Sequence, residues 1–193
     1  MTLYEHASPP ILPCRGQWVQ CSKANPTRKN SMYADFYERI SKPYEHQAAK
    51  LALFDRVLVY LVAAGYVFVL GWLLYTGDAR FLRVLLVCAI SFALCTLIRG
   101  AINAPRPYQM YWIHPLIKRN ENGKSFPSRH VFSATIIACA MFYLNPFAGV
   151  AAFLLTAIIA WVRVVGGVHF PRDVVAGTIL GLACGAFGFL LIP

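Results

Sequence analysis

Between Arg56 and Asp78 lie 21 residues without a formal charge, VLVYLVAAGYVFVLGWLLYTG. A helix rising about 1.5 Å per residue needs roughly 20 apolar residues to cross a bilayer's hydrocarbon core, so this run reads as a membrane span. More apolar stretches follow. Phe81 to Ile98 carries only Arg83, near its start, where the side chain can snorkel to the interface. Val131 to Val162 is uncharged and too long for one ordinary span, and Asn145-Pro146 interrupts it. Asn-Pro favours a turn and proline cannot continue the helical ladder, so the stretch is expected to form two helices joined by a tight hairpin. Val174 to Pro193 carries Gly177, Gly181 and Gly185 at four-residue spacing, with Gly188 beyond. Small residues at that spacing let membrane helices approach closely. The expected fold is all-α, an integral membrane helical bundle of about five transmembrane helices.

Composition agrees. Hydrophobic residues make up 58% of the 193, and mean hydropathy is +0.53. Charged residues are 13%, against about 25% in soluble domains. The formal charge of +10 suits anionic headgroups or a phosphate substrate, and the hydropathy argues against a nucleic-acid partner. Residues 1–30 read as an irregular arm without the apolar run of a signal peptide. From Ser31 to Lys50, Tyr33, Phe36, Tyr37 and Ile40 recur at helical spacing among Asp35, Glu38 and Arg39. This segment reads either as an amphipathic interfacial helix or as a solvated helix packed on a loop. The chain thus divides into an arm with a surface helix, 1–50, and a transmembrane domain, 51–193. Cys88, Cys95, Cys139 and Cys184 lie in apolar runs as small hydrophobes. Cys14 and Cys21 would pair only in an oxidising compartment. No cysteine spacing matches a zinc or redox site, and nothing in the sequence specifies an oligomer.

The polar residues that break the apolar pattern fall into three groups. Arg99, Arg106 and Pro107 end the second span; Ser128, Arg129 and His130 precede the third; Arg163 ends the fourth, and His169 and Asp173 open the fifth. Alternating spans bring all three groups to one membrane face. Asp173 is the only acidic residue after Glu121, and His130 and His169 are the only histidines after His114. A lone arginine at a helix end is ordinarily an interfacial anchor, and a lone histidine there is ordinarily structural; convergence changes that reading. Arginines offer planar, permanently charged donors to phosphate oxygens. If both lay on one helix, His169 and Asp173, four apart, would share a face. Asp173 could then hold one ring nitrogen while the other attacks phosphorus. His130 could protonate a departing alkoxide and later activate water. Gly166-Gly167 offers bare backbone where phosphate could approach.

At these residues the chain resembles a family. RGAINAPRP (Arg99 to Pro107), PSRH (Pro127 to His130) and RVVGGVHFPRD (Arg163 to Asp173) are similar to the three motifs of the type 2 phosphatidic acid phosphatases, related to vanadium haloperoxidases. Order and spacing match. The resemblance implies a phosphorylated lipid substrate hydrolysed through a phosphohistidine, with no metal and no cofactor. It implies that Arg99, Arg106, Ser128 and Arg163 bind phosphate, that His130 is the general acid, and that His169 is the nucleophile oriented by Asp173. Arg129 stands where the pattern has Gly, so its side chain is expected to join the site or contact a headgroup. Arg99 replaces Lys, Val162 replaces Ser, and six spans are usual where five are expected here.

Sixteen of the 18 Lys and Arg fall on the side of the arm and the three motifs, leaving Arg80 and Arg83 opposite. By the positive-inside rule the N-terminus and site of this multi-pass cell-membrane protein are expected to be cytoplasmic. Tyr108 to Lys124, with Tyr111, Trp112, Lys118 and Arg119, is the expected place for headgroup selection, against an interfacial aromatic and basic belt. Two other readings stand beside the phosphatase. One is an anion transporter, which ordinarily carries charge near the bilayer midplane. The other is a non-catalytic phospholipid-binding protein of the same fold.

Overall fold

The structure, a computed structural model, describes residues 11–14, 17–20, 32–118 and 122–191. Its helices are α1 (Met32–Ser41), α2 (Ala48–Tyr75), α3 (Arg80–Ile102), α4 (Pro107–Met110), α5 (Arg129–Leu144), α6 (Pro146–Val165) and α7 (Pro171–Ala186). A 3₁₀ segment, Lys42–Gln47, links α1 to α2, and a π turn, Phe187–Leu191, extends α7. Four helical stretches are long and apolar enough to cross a membrane, and α5, with 16 residues, is shorter. At about 1.5 Å per residue α5 spans roughly 24 Å. It sits at the centre of the bundle, packed on α3, α6 and α7.

The arm departs from the irregular reading. Ile11–Cys14 (β1) and Gln17–Gln20 (β2) pair antiparallel, with Ile11 opposite Gln20 and Cys14 opposite Gln17. Cys21, the other half of the conceivable disulfide, lies outside the described residues.

The break between α5 and α6 has its physical cause in Asn145. Its Oδ1 accepts from the backbone N–H groups of Phe147 (2.9 Å) and Ala148 (3.2 Å), meeting two of the donors a helix start leaves open. Pro146 at the first helical position needs no donor partner. One buried cluster joins Leu73, Val84, Cys88, Phe132, Ile136 and Phe189, and a second joins Leu58, Val131, Ala134, Ile159, Val164 and Val174. Leu61, Val67, Phe68, Ile90, Leu97, Leu154 and Ile179 are exposed around the outside, as lipid-facing side chains of a spanning bundle would be.

The glycine stripe of α7 is a packing seam. A Cβ at Gly177 would lie 2.8 Å from the Ser128 carbonyl oxygen, one at Gly181 2.7 Å from Thr135 Cβ, and one at Gly185 2.5 Å from Cys139 Sγ. α7 therefore rides directly on α5, and this close approach fixes Ser128 at one helix start against Asp173 at the other: the Ser128 N–H donates to the Asp173 carbonyl at 2.9 Å. Gly181→Ala is expected to destabilise the protein by about 1–3 kcal/mol through overpacking, seen as a lower melting temperature in detergent. Gly65→Ala is the matched control, because a Cβ there meets nothing within 4 Å. Equal melting temperatures for the two variants would contradict the seam.

Candidate functional site

Arg99, Arg106, Ser128, Arg163, His169 and Asp173 are all buried, and His130 is half-buried. The centre of the group is the Asp173 carboxylate, 1% exposed. Its Oδ2 accepts from Ser125 Oγ at 2.5 Å and from the Phe170 N–H at 3.1 Å, and lies 3.6 Å from His169 Nδ1. Ser125 Oγ is also 3.4 Å from His169 Nδ1. Nδ1 therefore faces the carboxylate, and Nε2 is the ring nitrogen left for other chemistry.

The pair meets by a different route from the one the four-residue spacing suggests. Pro171 occupies the first position of α7 and Phe170 its cap, so His169 lies in the preceding turn rather than on the helix. Asp173, in the first helical turn, reaches back across the helix start to meet it.

Arg99, near the C-terminal end of α3, donates from Nη1 to the carbonyls of Ser125 (3.5 Å) and Pro127. It holds the backbone that carries Ser125 and Ser128. Arg106 donates from Nε to the Gly123 carbonyl at 3.2 Å, and its N–H donates to Gln109 Oε1 at 2.8 Å. Ser128 Oγ is buried and makes no hydrogen bond among the described residues, which carries a cost of about 1–3 kcal/mol unless a ligand supplies the partner. Arg129 differs from the rest. Its side chain is exposed, with the guanidinium 6.0 Å over the ring of Phe92.

Arg163 is ion-paired through Nε with Asp55 Oδ1 of α2 at 3.0 Å, their side chains 1% and 4% exposed. Both line a cavity of about 730 Å³ with Arg56, Leu116, Lys118 and His130. A smaller, mainly apolar cavity of about 320 Å³, lined by Val62, Phe92, Ser133 and Ile159 among others, shares His130 and Val59 with it.

His169 is neutral across the physiological range. Burial, first, and the charges of Arg106 and Arg163 press its pKa from 6.5 down to about 4, against the opposing pull of Asp173.

Gly166-Gly167 does not present bare backbone to a ligand. A Cβ at Gly167, whose φ is +73°, would lie 2.7 Å from Tyr37 Oη, and one at Gly166 2.6 Å from the Ile117 side chain. The glycines make room for protein. Tyr37 Oη donates to the His114 carbonyl (3.2 Å) and accepts from the Leu116 N–H (3.3 Å). The Tyr33 ring packs at a tilt against those of Tyr111 (4.9 Å) and Phe170 (4.8 Å). The α1 helix is thus packed onto the loop layer beside the site. Within the expected headgroup loop, Lys118 lines the larger cavity, and Arg119 lies outside the described residues.

Two residues of the site escape a motif reading. Ser125 stands three before Ser128 in a stretch that reads as linker. Asp55 carries a signal that was legible: it is the only acidic residue between Glu45 and Asp78, at the edge of an apolar run, the same feature that singles out Asp173.

The bacitracin transport permease protein BcrC of Bacillus licheniformis is 26% identical over 162 residues, covering 82% of this chain and 78% of the relative. The crystal structure of Aquifex aeolicus LpxE superposes with a TM-score of 0.66 at 22% identity, covering 83% of this chain and 96% of that one. A PAP2-type phosphatidylglycerolphosphate phosphatase from Bacillus subtilis gives a TM-score of 0.56 at 22% identity, covering 82% and 85%. These two likenesses show a shared fold. The model of the PAP2 superfamily matches residues 80–193, more than half the chain and all three motif segments, and this multi-pass membrane protein belongs to that superfamily.

Proposed function

We propose that the protein hydrolyses a phosphate monoester or diphosphate of a membrane lipid through a phosphohistidine intermediate, without a metal ion. The observation that carries the reading is the buried pairing of His169 Nδ1 with Asp173, at 3.6 Å, in a site whose other polar members are arginines, His130, Ser125, Ser128 and Asp55. Neutral His169 holds its proton on Nδ1, towards Asp173, and keeps the Nε2 lone pair for attack. The N–P bond forms as the bond from phosphorus to the leaving oxygen breaks, and His130 gives its proton to that oxygen. His130 then takes a proton from water as the water oxygen attacks phosphorus; the N–P bond breaks and phosphate leaves. Arg99, Arg106 and Arg163 are assigned to the phosphoryl oxygens, together with the Ser128 hydroxyl, whose unmet hydrogen bond the phosphate would satisfy. These donors are cationic or hydroxylic and do not form a metal-ligand set. Arg129, over Phe92, is assigned to the headgroup or interface.

A lipid substrate fits the paired cavities. The larger is of the size of an ordinary ligand pocket, and its lining includes Arg56 and Lys118. His130 connects it to the smaller apolar one, so a leaving oxygen at His130 would have room for an apolar continuation. The candidate substrates are phosphatidate, phosphatidylglycerol phosphate and polyprenyl mono- or diphosphates, and the Bacillus subtilis neighbour is itself a phosphatidylglycerolphosphate phosphatase.

Purified protein in detergent with EDTA present is expected to release phosphate from at least one of these lipids, and His169→Ala to lower the rate at least about 1,000-fold. Release from none of them, or equal rates for the two proteins, would leave a non-catalytic lipid-binding protein as the better reading.

The depressed pKa of His169 has a consequence for stability. The unfolded chain takes up a proton near pH 6.5, while the folded one resists it until about pH 4. The contribution is therefore present above pH 6.5 and declines as pH falls to 4, by on the order of 1 kcal/mol per pH unit. The melting temperature of the wild type should fall more steeply across pH 6.5 to 4 than that of His169→Gln. Parallel curves would contradict a buried neutral histidine.

The site and the N-terminus are assigned to the cytoplasmic side, on the strength of the sixteen-to-two distribution of Lys and Arg. A cysteine placed at residue 2 in a variant lacking Cys14 and Cys21 should resist an impermeant thiol reagent in intact cells and react after lysis. Labelling before lysis would reverse the orientation.

A further inference from the structure

We infer that Asp55 is a positioning residue for the Arg163 guanidinium, an inference that rests on the phosphate-binding assignment of Arg163 above. Asp55 stands in the second turn of α2, the first membrane-crossing helix, far in sequence from all three motifs. A carboxylate buried in a spanning bundle is costly unless paired, and this one meets Arg163 Nε at 3.0 Å with both side chains almost wholly buried. The two residues also line the same cavity as His130.

A guanidinium is a planar fork of five N–H donors. The ion pair, with Nε 3.0 Å from Oδ1 though not in line for a hydrogen bond, holds the guanidinium against α2 beside the cavity that both residues line. Arg163 ends α6, where backbone rotation alone leaves a long side chain many rotamers; the anchor selects one before substrate arrives, which lowers the ordering cost of binding. Asp55 could instead act only through its charge. It would then repel the phosphate dianion, and removing it would tighten binding. Positioning and charge thus predict opposite signs.

The test is the binding of orthovanadate, a phosphate analogue, to purified protein in detergent, read by vanadium NMR, with phosphate release measured on the same samples. Asp55→Leu, which removes the anchor but keeps the volume, is expected to bind at least about tenfold more weakly. Asp55→Asn, which keeps an oxygen towards Nε, should fall between it and the wild type, about two- to fivefold weaker. A merely structural role would reduce the yield of folded protein without changing the affinity of the folded fraction. If Asp55→Leu does not fold, Asp55→Asn decides alone. Binding by either folded variant as tight as the wild type, or tighter, would overturn the inference, as would a wild type that binds no vanadate. A wild type that binds vanadate but cleaves no lipid would sink the phosphatase reading and leave the role of Asp55 standing.

Discussion

The Asp173 carboxylate is the contact on which the rest of the site depends. It caps the start of α7 through the Phe170 N–H, accepts from Ser125, and faces the ring of His169. The carbonyl of the same residue receives the Ser128 N–H. One residue thereby joins the segment before α5 to the turn before α7. A buried carboxylate is costly unless partnered; here Oδ2 takes the contacts of Ser125, Phe170 and His169, while Oδ1 makes no hydrogen bond among the described residues and lies 3.7 Å from Arg172 Nε. Fold stability and site geometry are the same set of hydrogen bonds at this point.

That junction requires α5 and α7 to lie closer than ordinary side chains allow. The seam of Gly177, Gly181 and Gly185 provides the approach, and its first member sits against the Ser128 carbonyl itself. Arg99 works from the opposite side, holding the carbonyls of Ser125 and Pro127 from α3. The strand of chain between the two, Ser125 to Ser128, is thus fixed from α3 and α7 at once. Its backbone is positioned by side chains, and its own side chains are then available to the site.

Hydropathy was enough to place the spans, because a bilayer allows few ways to satisfy a backbone, and Asn145-Pro146 was a local signal strong enough to divide a 32-residue run. The three motif groups were legible because charge and histidine are rare in this part of the chain. What the sequence did not disclose depends on contacts between distant segments. The glycines at 166 and 167 look like a phosphate cradle, but Tyr37 and Ile117 occupy the space. His169 and Asp173 look like one helical face until Pro171 is seen to start the helix after His169. Asp55 stands out as an acid at the edge of an apolar run, but its partner, Arg163, lies more than a hundred residues away. The β-hairpin of the arm was missed because its strands are four residues each, too short to show a period of two.

Charge placement also separates the competing readings. A transporter must move its anion through the bilayer, and its binding groups ordinarily lie at the midplane where helices break. Here the arginines cluster where α3 and α6 end and α5 and α7 begin. The acidic charge of the first long helix, Asp55, comes from its second turn and is spent on Arg163. A binding protein without catalysis would need those arginines as well. Protonated, His169 would be one more cation for phosphate. Burial instead holds its pKa near 4, discarding a favourable charge and preserving a lone pair. In the proposed reaction that lone pair is the one that attacks phosphorus.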